Sequence, residues 1–227
     1  SCISCFWQAR LSNQVETEGI TNITLEDVSY IENAGGVIKL LGQIKYINDN
    51  EIAAFVSPAV VYNGSQLASV KDVFNAILVR GDAVGDVCFY GPGAGKLPTA
   101  SAVVADIIDC AKHSDRKKIF GWEGNEDYVV DYKERIEMPF YVRAKATPAE
   151  INAKFSDVKF LSRKGQPSDE VAFITDIMTE NKLTKSLTAL TLSTQSRLQT
   201  INVYQYKLIW RITNVWDLLF RSSAVLR

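Results

Sequence analysis

Histidine is almost missing from this chain: His113 is the single one in 227 residues. Cysteine is sparse too, confined to Cys2, Cys5, Cys88 and Cys110. Four unevenly spaced thiols make no disulfide framework for a chain of this size and point to a reducing, cytoplasmic setting. Cys2 and Cys5 form a CxxC, but a tetrahedral zinc site asks for a second pair or for histidines. No metal site is therefore expected. Neither sign of charge dominates, since the formal net charge is −1, and the basic footprint of a nucleic-acid-binding protein is missing. No uncharged apolar run reaches the roughly 18 residues that a membrane-crossing helix needs. The opening "SCISCFWQAR" lacks the basic start and clean apolar centre of a secretory signal. It begins on Ser1 rather than Met, which suggests a piece of a longer protein.

What is present reads as a soluble globular chain, 47% hydrophobic and 22% charged, with room for one large or two modest domains. In "ITLEDVSYIENAGG", Thr24 stands at an N-cap and Asp27 at the third position of a capping box, with Leu25, Val28 and Ile31 at helical spacing. Gly35 and Gly36 end that helix. "VIKLLGQIKYI" and "EIAAFVSPAVVY" are β-rich runs joined across "NDN", which predicts a hairpin. "FNAILVRG" and "VCFYG" predict a second pair of strands across "GDAVG". The glycine cluster "YGPGAGK" then feeds a helix starting near Thr99 or Ser101, with Val103, Val104, Ile107, Ile108 and Ala111 on one face. Asp106 and Asp109 take the opposite side as solvated or locally bonded acids, and His113 reads as a helix C-terminal residue favoured by the dipole.

Residues 116–137 read as a linker of mixed charge. From Met138 onward the pattern is βαββαβ, the ferredoxin-like plan, with Thr147, Pro148 and Glu150 marking one helix start. The last stretch, from Lys207 to Arg227, is a basic amphipathic segment suited to a membrane surface or a partner, and more readily to docking on its own domain or a subunit. The expected fold is therefore α+β: a mixed, largely antiparallel sheet with helices on one face in residues 1–115, then the linker, then a ferredoxin-like domain in 138–206 and the tail 207–227.

Glycines at 91, 93 and 95 permit positive φ and let a ligand approach bare backbone, and a helix N-terminus favours an anion. A Walker A loop requires Gly-x-x-x-x-Gly-Lys-Ser/Thr, whereas Gly95-Lys96 is preceded by Tyr90 and followed by Leu97. A Rossmann fingerprint fails as well, because Lys96 stands where the third glycine belongs. On pattern alone a tight structural turn and a phosphate-contacting loop remain equally open.

Two long runs go further. "EGITNITLEDVSYIENAGGVIKLLG" and "FNAILVRGDAVGDVCFYGPGAGKLPTASAVVADIID", in this order, resemble the catalytic and dimerisation region of homoserine dehydrogenase. The resemblance spans Ser4 to Ala111 and continues more loosely from Met138 to Tyr204 as an ACT-like domain. It implies NAD(P)-dependent interconversion of L-homoserine and aspartate 4-semialdehyde in threonine and methionine biosynthesis, by a homo-oligomer, a dimer or tetramer. It implies that Gly95, with Gly93 beside it, approaches the nicotinamide nucleotide of NAD or NADP. It also implies that the catalytic lysine and aspartate precede Ser1, so the chain carries no catalytic residue and is inactive alone. The family's nucleotide-binding domain has no counterpart here. Glu18, in the "EGI" run, reads as structural. The family's Asp-x-Pro-Gly effector loop is represented by Ala146-Thr147-Pro148-Ala149, without its Asp and Gly, so threonine feedback is not expected. The alternative function is a non-catalytic dimerisation and regulatory module that senses an amino acid. Neither reading involves nucleic acid or membrane.

Overall fold

The structure, a computed structural model, describes residues 15–48, 50–93, 95–115, 129–194 and 199–203. In chain order the elements are β1 (Glu16–Thr17), α1 (Leu25–Asn33), β2 (Gly36–Asn48), β3 (Glu51–Tyr62), β4 (Phe74–Gly81), β5 (Gly85–Pro92) and α2 (Lys96–Lys112). There follow α3 (Tyr132–Arg135), β6 (Glu137–Met138), β7 (Phe140–Ala144), α4 (Pro148–Asn152), β8 (Val158–Leu161), β9 (Val171–Thr175), β10 (Met178–Thr179), α5 (Glu180–Thr194) and β11 (Gln199–Val203). They sort into two compact units: one holds the described residues from Ser69 to Asp115, the other joins those up to Ala68 with those from Val129 onward. Cys2, Cys5, residues 116–128 of the expected linker and the tail 207–227 lie outside the described residues.

Local chemistry sets the helix starts where the sequence places them. The Thr24 N–H donates to Asp27 Oδ2 at 3.0 Å, and the Thr147 N–H donates to Glu150 Oε2 at 2.7 Å, each satisfying an orphan donor of the first turn. Gly35, at φ +77°, lets the chain leave α1 and enter β2. β2 and β3 pair antiparallel from Gly36↔Tyr62 to Asn48↔Glu51, with a bulge near Tyr46. The Asn48 side chain closes their turn by accepting from the Asn50 N–H at 2.9 Å.

The larger unit is built on a sheet in the order β8, β9, β7, β11, β3, with β2 on the far edge of β3 and β1 beside β11 along its inner edge; β6 and β10 form a separate antiparallel pair. Within 138–203 the strands β8, β9, β7 and β11 are antiparallel throughout, the neighbour order of a ferredoxin-like βαββαβ unit. These strands are not separate from the first part of the chain. β11 pairs with β3 in parallel, at Asn202↔Ala59 and Val203↔Val60. A boundary between 115 and 138 therefore does not divide this unit, and the expected linker contributes to its interior: Tyr132 and Ile136 are buried, and the Phe55 and Tyr132 rings stack at 4.2 Å.

The expectation of helices on one face is corrected as well. Alternate residues of the central strands feed two cores on opposite faces. Phe140, Val142, Val171 and Phe173 meet Tyr132, Ile151, Phe155, Leu183 and Leu187 from α3, α4, the turn after α4, and α5. Tyr141, Ala172, Ile174 and Ile201 meet Tyr30 and Ile31 of α1. With both faces covered, β7 and β9 are buried almost throughout, and no strict apolar–polar alternation survives in them.

A buried ion network fastens α1 to this sheet. Asp27 is fully buried. It accepts from Arg143 Nε at 2.6 Å and from the Tyr141 hydroxyl at 2.9 Å. Arg143 also donates to Thr24 Oγ1 at 3.0 Å and to Glu170 Oε2 at 3.1 Å. Glu170 accepts in turn from Arg163 and from the Tyr30 hydroxyl, each at 2.9 Å. Burial works against the Asp27 charge, but the hydrogen bonds from Arg143 and Thr24 outweigh it and hold its carboxyl below the usual range. Glu170 is likewise lowered, its bonds from Arg163, Tyr30 and Arg143 overcoming burial. Burial, joined by the bond to Glu170, pushes the Tyr30 phenol up to about 12.

Lys45 of β2 is the opposite case. Its ammonium lies 5.8 Å from the centre of the Phe55 ring, with no carboxylate in ion-pair reach among the described residues, and burial pushes its pKa down to about 8.

Two outcomes are expected. Asp27→Asn should cost about 3 kcal/mol in urea unfolding at pH 7, because it strips the half-buried Arg143 guanidinium of its main partner and removes a fully buried carboxylate. Asp27 and Glu170 titrate below their unfolded values, so their stabilisation is complete above about pH 4 and is lost as pH falls through the folded values; stability measured below about pH 4 should fall less steeply in the variant. For Lys45 the sign reverses: the unfolded chain binds the extra proton, so wild-type stability should rise between pH 8 and 10.5. Lys45→Met should abolish that rise and be more stable by about 2 kcal/mol at pH 7; a pH profile matching wild type would count against the reading.

Candidate functional site

The glycine loop is held between a hairpin and a helix. β4 and β5 pair from Phe74↔Pro92 to Gly81↔Gly85. At the turn end, Arg80 grips Asp86 through both guanidinium and carboxylate edges, with Nη2 2.7 Å from Oδ2, and that bond holds the Asp86 carboxyl below the usual range. Such a bidentate pair fixes register as well as attraction. At the other end the Gly93 N–H donates to the Val73 carbonyl at 3.2 Å, carrying the pairing one residue past Pro92. The Phe74 and Tyr90 rings stack beside it, 5.0 Å apart.

Gly95 is the N-cap of α2, at φ +126° and ψ 158°. That backbone is open to glycine and strained for any residue with a Cβ. Its carbonyl accepts the first helical bond, from the Thr99 N–H at 3.2 Å. The helix thus begins at Lys96, about a turn before the expected Thr99 or Ser101. Pro98 is tolerated there because the first turn needs no N–H from it. No side chain caps the start and no acid lies in the first turn. The N-terminal N–H groups therefore face an approach that favours a negative or polarised group.

The structure brings Gly93 and Gly95 into one loop, as the sequence expects. It does not bury the helix that follows. Val103, Val104, Ile107 and Ile108 are all roughly half exposed, and no residue of α2 is buried among the described residues. The hairpin likewise presents Ile77, Phe89 and Tyr90 outward. Helical spacing announces an apolar face but cannot say whether the same chain covers it. Asp109 accepts from or pairs with His113 Nδ1 at 2.9 Å, so His113 closes the end of α2 and is remote from the loop by the length of the helix. Asp106 is exposed.

Glu18 lies in the larger unit, where its N–H donates to the Val56 carbonyl at 2.8 Å and continues the short β1 ladder. Burial raises its carboxyl pKa, with Lys133 acting the other way. Lys133 pairs with Glu16, and burial raises Glu180 beside Tyr132. Among the described residues no set of His, Cys, Asp and Glu is arranged to hold a metal ion, and no helix is long and apolar enough to cross a membrane.

Sequence reasoning missed Asn75. A Cβ built on Gly93 would overlap Asn75 Nδ2 and stand 2.6 Å from its Cγ. Only the register of β4 against β5, counted residue by residue from the turn, could have brought position 75 to the loop.

Comparison with known proteins identifies the matching part of the chain. The family model for homoserine dehydrogenase matches residues 4–108. The homoserine dehydrogenase of Bacillus subtilis is 35% identical over 131 residues, which are 58% of this chain and 29% of that protein. That of Neisseria gonorrhoeae is 46% identical over 95 residues, 42% of this chain and 22% of that protein. Among solved structures, a homoserine dehydrogenase from Thiobacillus denitrificans superposes with a TM-score of 0.70 at 27% identity, covering 86% of this chain and 48% of that one. The resemblance carried by the two motif runs is thus borne out. The chain spans under a third of the curated relatives it matches and about half of the solved one.

Proposed function

We propose that this chain works as part of a homoserine dehydrogenase, in the NAD(P)-linked interconversion of L-homoserine and aspartate 4-semialdehyde. The observation that carries the reading is the backbone of the glycine loop: Gly95 sits at φ +126°, ahead of an uncapped helix start, inside the segment that matches the family. Bare backbone at 93 and 95 suits the close approach of a flat, polar ring system, and the uncapped N–H groups suit a phosphate or carboxamide oxygen. The residues therefore fit a nicotinamide cofactor. When bound, that group supplies hydride acceptance and donation. What the chain supplies is shape: Gly93 and Gly95 leave room, α2 orients N–H donors, and the Arg80–Asp86 clasp holds the hairpin that presents the loop. Proton transfer at the substrate oxygen falls to a lysine that no residue of this chain matches.

The exposed apolar faces of α2 and of the β4–β5 hairpin support a working form in which further polypeptide covers them, since a two-stranded hairpin and an uncovered helix bury too little to stand alone. Subunit pairing is a second part of the proposal. β2, 13 residues long, stands at one end of the described sheet, whereas β8, at the other end, has four residues with Lys159 among them. A long strand at the end of a sheet is a template for another strand. The ferredoxin-like strand order in 138–203 favours the accompanying reading of an ACT-like, amino-acid-sensing function for that part.

Two experiments test this. A chimaera in which residues 4–108 replace the matching segment of the Neisseria gonorrhoeae enzyme should oxidise L-homoserine with NAD or NADP. Gly95→Val within it should raise the cofactor KM about tenfold or more, by placing a branched side chain where backbone must come close. A folded, inactive chimaera would overturn the reading, and an unchanged KM and kcat in the variant would remove the loop from the cofactor. Light scattering of the 227-residue chain should give twice its 25.3 kDa mass; a monomer at all concentrations would count against pairing.

A further inference from the structure

Positions 93 and 95 suit glycine for different reasons. At 95 the backbone angle demands it, and an added Cβ would meet only the Pro98 ring, at 3.4 and 3.8 Å. At 93 the backbone is not in the left-handed region. There the obstacle is Asn75: an added Cβ would overlap Nδ2, stand 2.6 Å from Cγ and lie 3.2 Å from Asn75 Cβ. Directly across the ladder from Asn75 is Gly91, and a Cβ there would meet nothing within 4 Å. The Asn75 side chain therefore leans past its own cross-strand neighbour and lies on Gly93. Its carboxamide is at the surface, and among the described residues it makes no hydrogen bond. Asn75 and Gly93 belong to the same compact unit.

We propose that Asn75 is the positioning residue of the glycine loop: its carboxamide occupies the side-chain space of position 93, and its unused donor and acceptor meet the carboxamide of a nicotinamide nucleotide lying on that backbone. This rests on the reading of the loop as a cofactor contact and extends it to a residue that the glycines alone do not point to. A carboxamide presents one donor edge and one acceptor edge, which is the complement of another carboxamide. Its place against Gly93 leaves it beside the backbone the ligand would approach, so little rearrangement is needed on binding. The Gly93 N–H bond to Val73 keeps the backbone from moving away and ties both to the start of β4.

The test uses the 227-residue chain, labelled with 15N and titrated with β-nicotinamide mononucleotide. The Asn75 side-chain amide and the backbone amides of Gly93 and Gly95 are expected to shift together. Asn75→Asp, which keeps the shape but loses the donor, should weaken the apparent Kd about fivefold to tenfold, the worth of one hydrogen bond. Shifts at Gly93 and Gly95 without one at Asn75 would overturn this proposal and leave the loop as a cofactor contact; no shift at any of the three would overturn both. A second arm needs no ligand. Gly93→Ala should lower the Tm, and Asn75→Ala in the same chain, which removes the two overlapping atoms, should recover more than half of the loss. Strictly additive Tm changes would show that the two residues do not share that space and would overturn the positioning role.

Discussion

The Asp27–Arg143 ion pair is the interaction on which the larger unit depends. Asp27 starts its work locally, closing the first turn of α1 against the Thr24 N–H. The same carboxylate then takes Arg143 and Tyr141 from β7, more than a hundred residues away. Charges buried this deeply are tolerated only when nearly every lone pair and proton finds a partner. Glu170, Arg163, Tyr30 and Thr24 supply those partners. The network therefore does more than join two side chains: it ties the βαββαβ strands to the helix that precedes them, beside the β3–β11 pairing that makes one sheet out of two stretches of chain.

The sheet follows from that tie and from hydrophobic burial on both of its faces. Tyr141 and Arg143 point to α1, while Phe140 and Val142 point to the side of α4 and α5. β3 is the hinge of the arrangement. One of its edges carries β2 along its full length, and the other is shared by Val130, β1 and β11. A strand with both edges used and both faces covered cannot slip by a residue without exposing Phe55 and burying its neighbours wrongly. The smaller unit shows the contrary condition. Its helix and hairpin keep their apolar residues outward, and its order comes from local devices: the Arg80–Asp86 clasp, the Gly93 bond to Val73, and the conformation of Gly95.

Those local devices explain how far the loop was legible. The glycine cluster, the hairpin ahead of it and the helix behind it are visible in residues 74–112, because each rests on neighbours a few positions apart. The capping boxes at Thr24 and Thr147 are visible for the same reason, as is the β2–β3 turn. The family resemblance lies in continuous runs and so is legible too; where glycine spacing alone leaves a turn and a phosphate loop open, it implies the cofactor contact proposed for Gly93 and Gly95. α2 starts about a turn before Thr99 because Gly95 caps it at φ +126°, a backbone angle that side-chain spacing does not reveal.

The sequence by itself determined the longer helices and strands, their order and the kinship of residues 4–108, since propensity, capping and motif spacing all act over short separations; it did not reveal the short β1, α3, β6 and β10. Tertiary structure alone decided three things. It placed 138–203 in the same sheet as β3, put helices on both faces of that sheet, and set the Asn75 carboxamide on Gly93. Each depends on pairing register or on contacts between distant segments: Asp27 meets Tyr141 across 114 residues, and Asn75 reaches Gly93 only because Phe74 faces Pro92. No local pattern encodes such distances. They are fixed when burial and buried charge select one arrangement of strands over the others that the same elements could form.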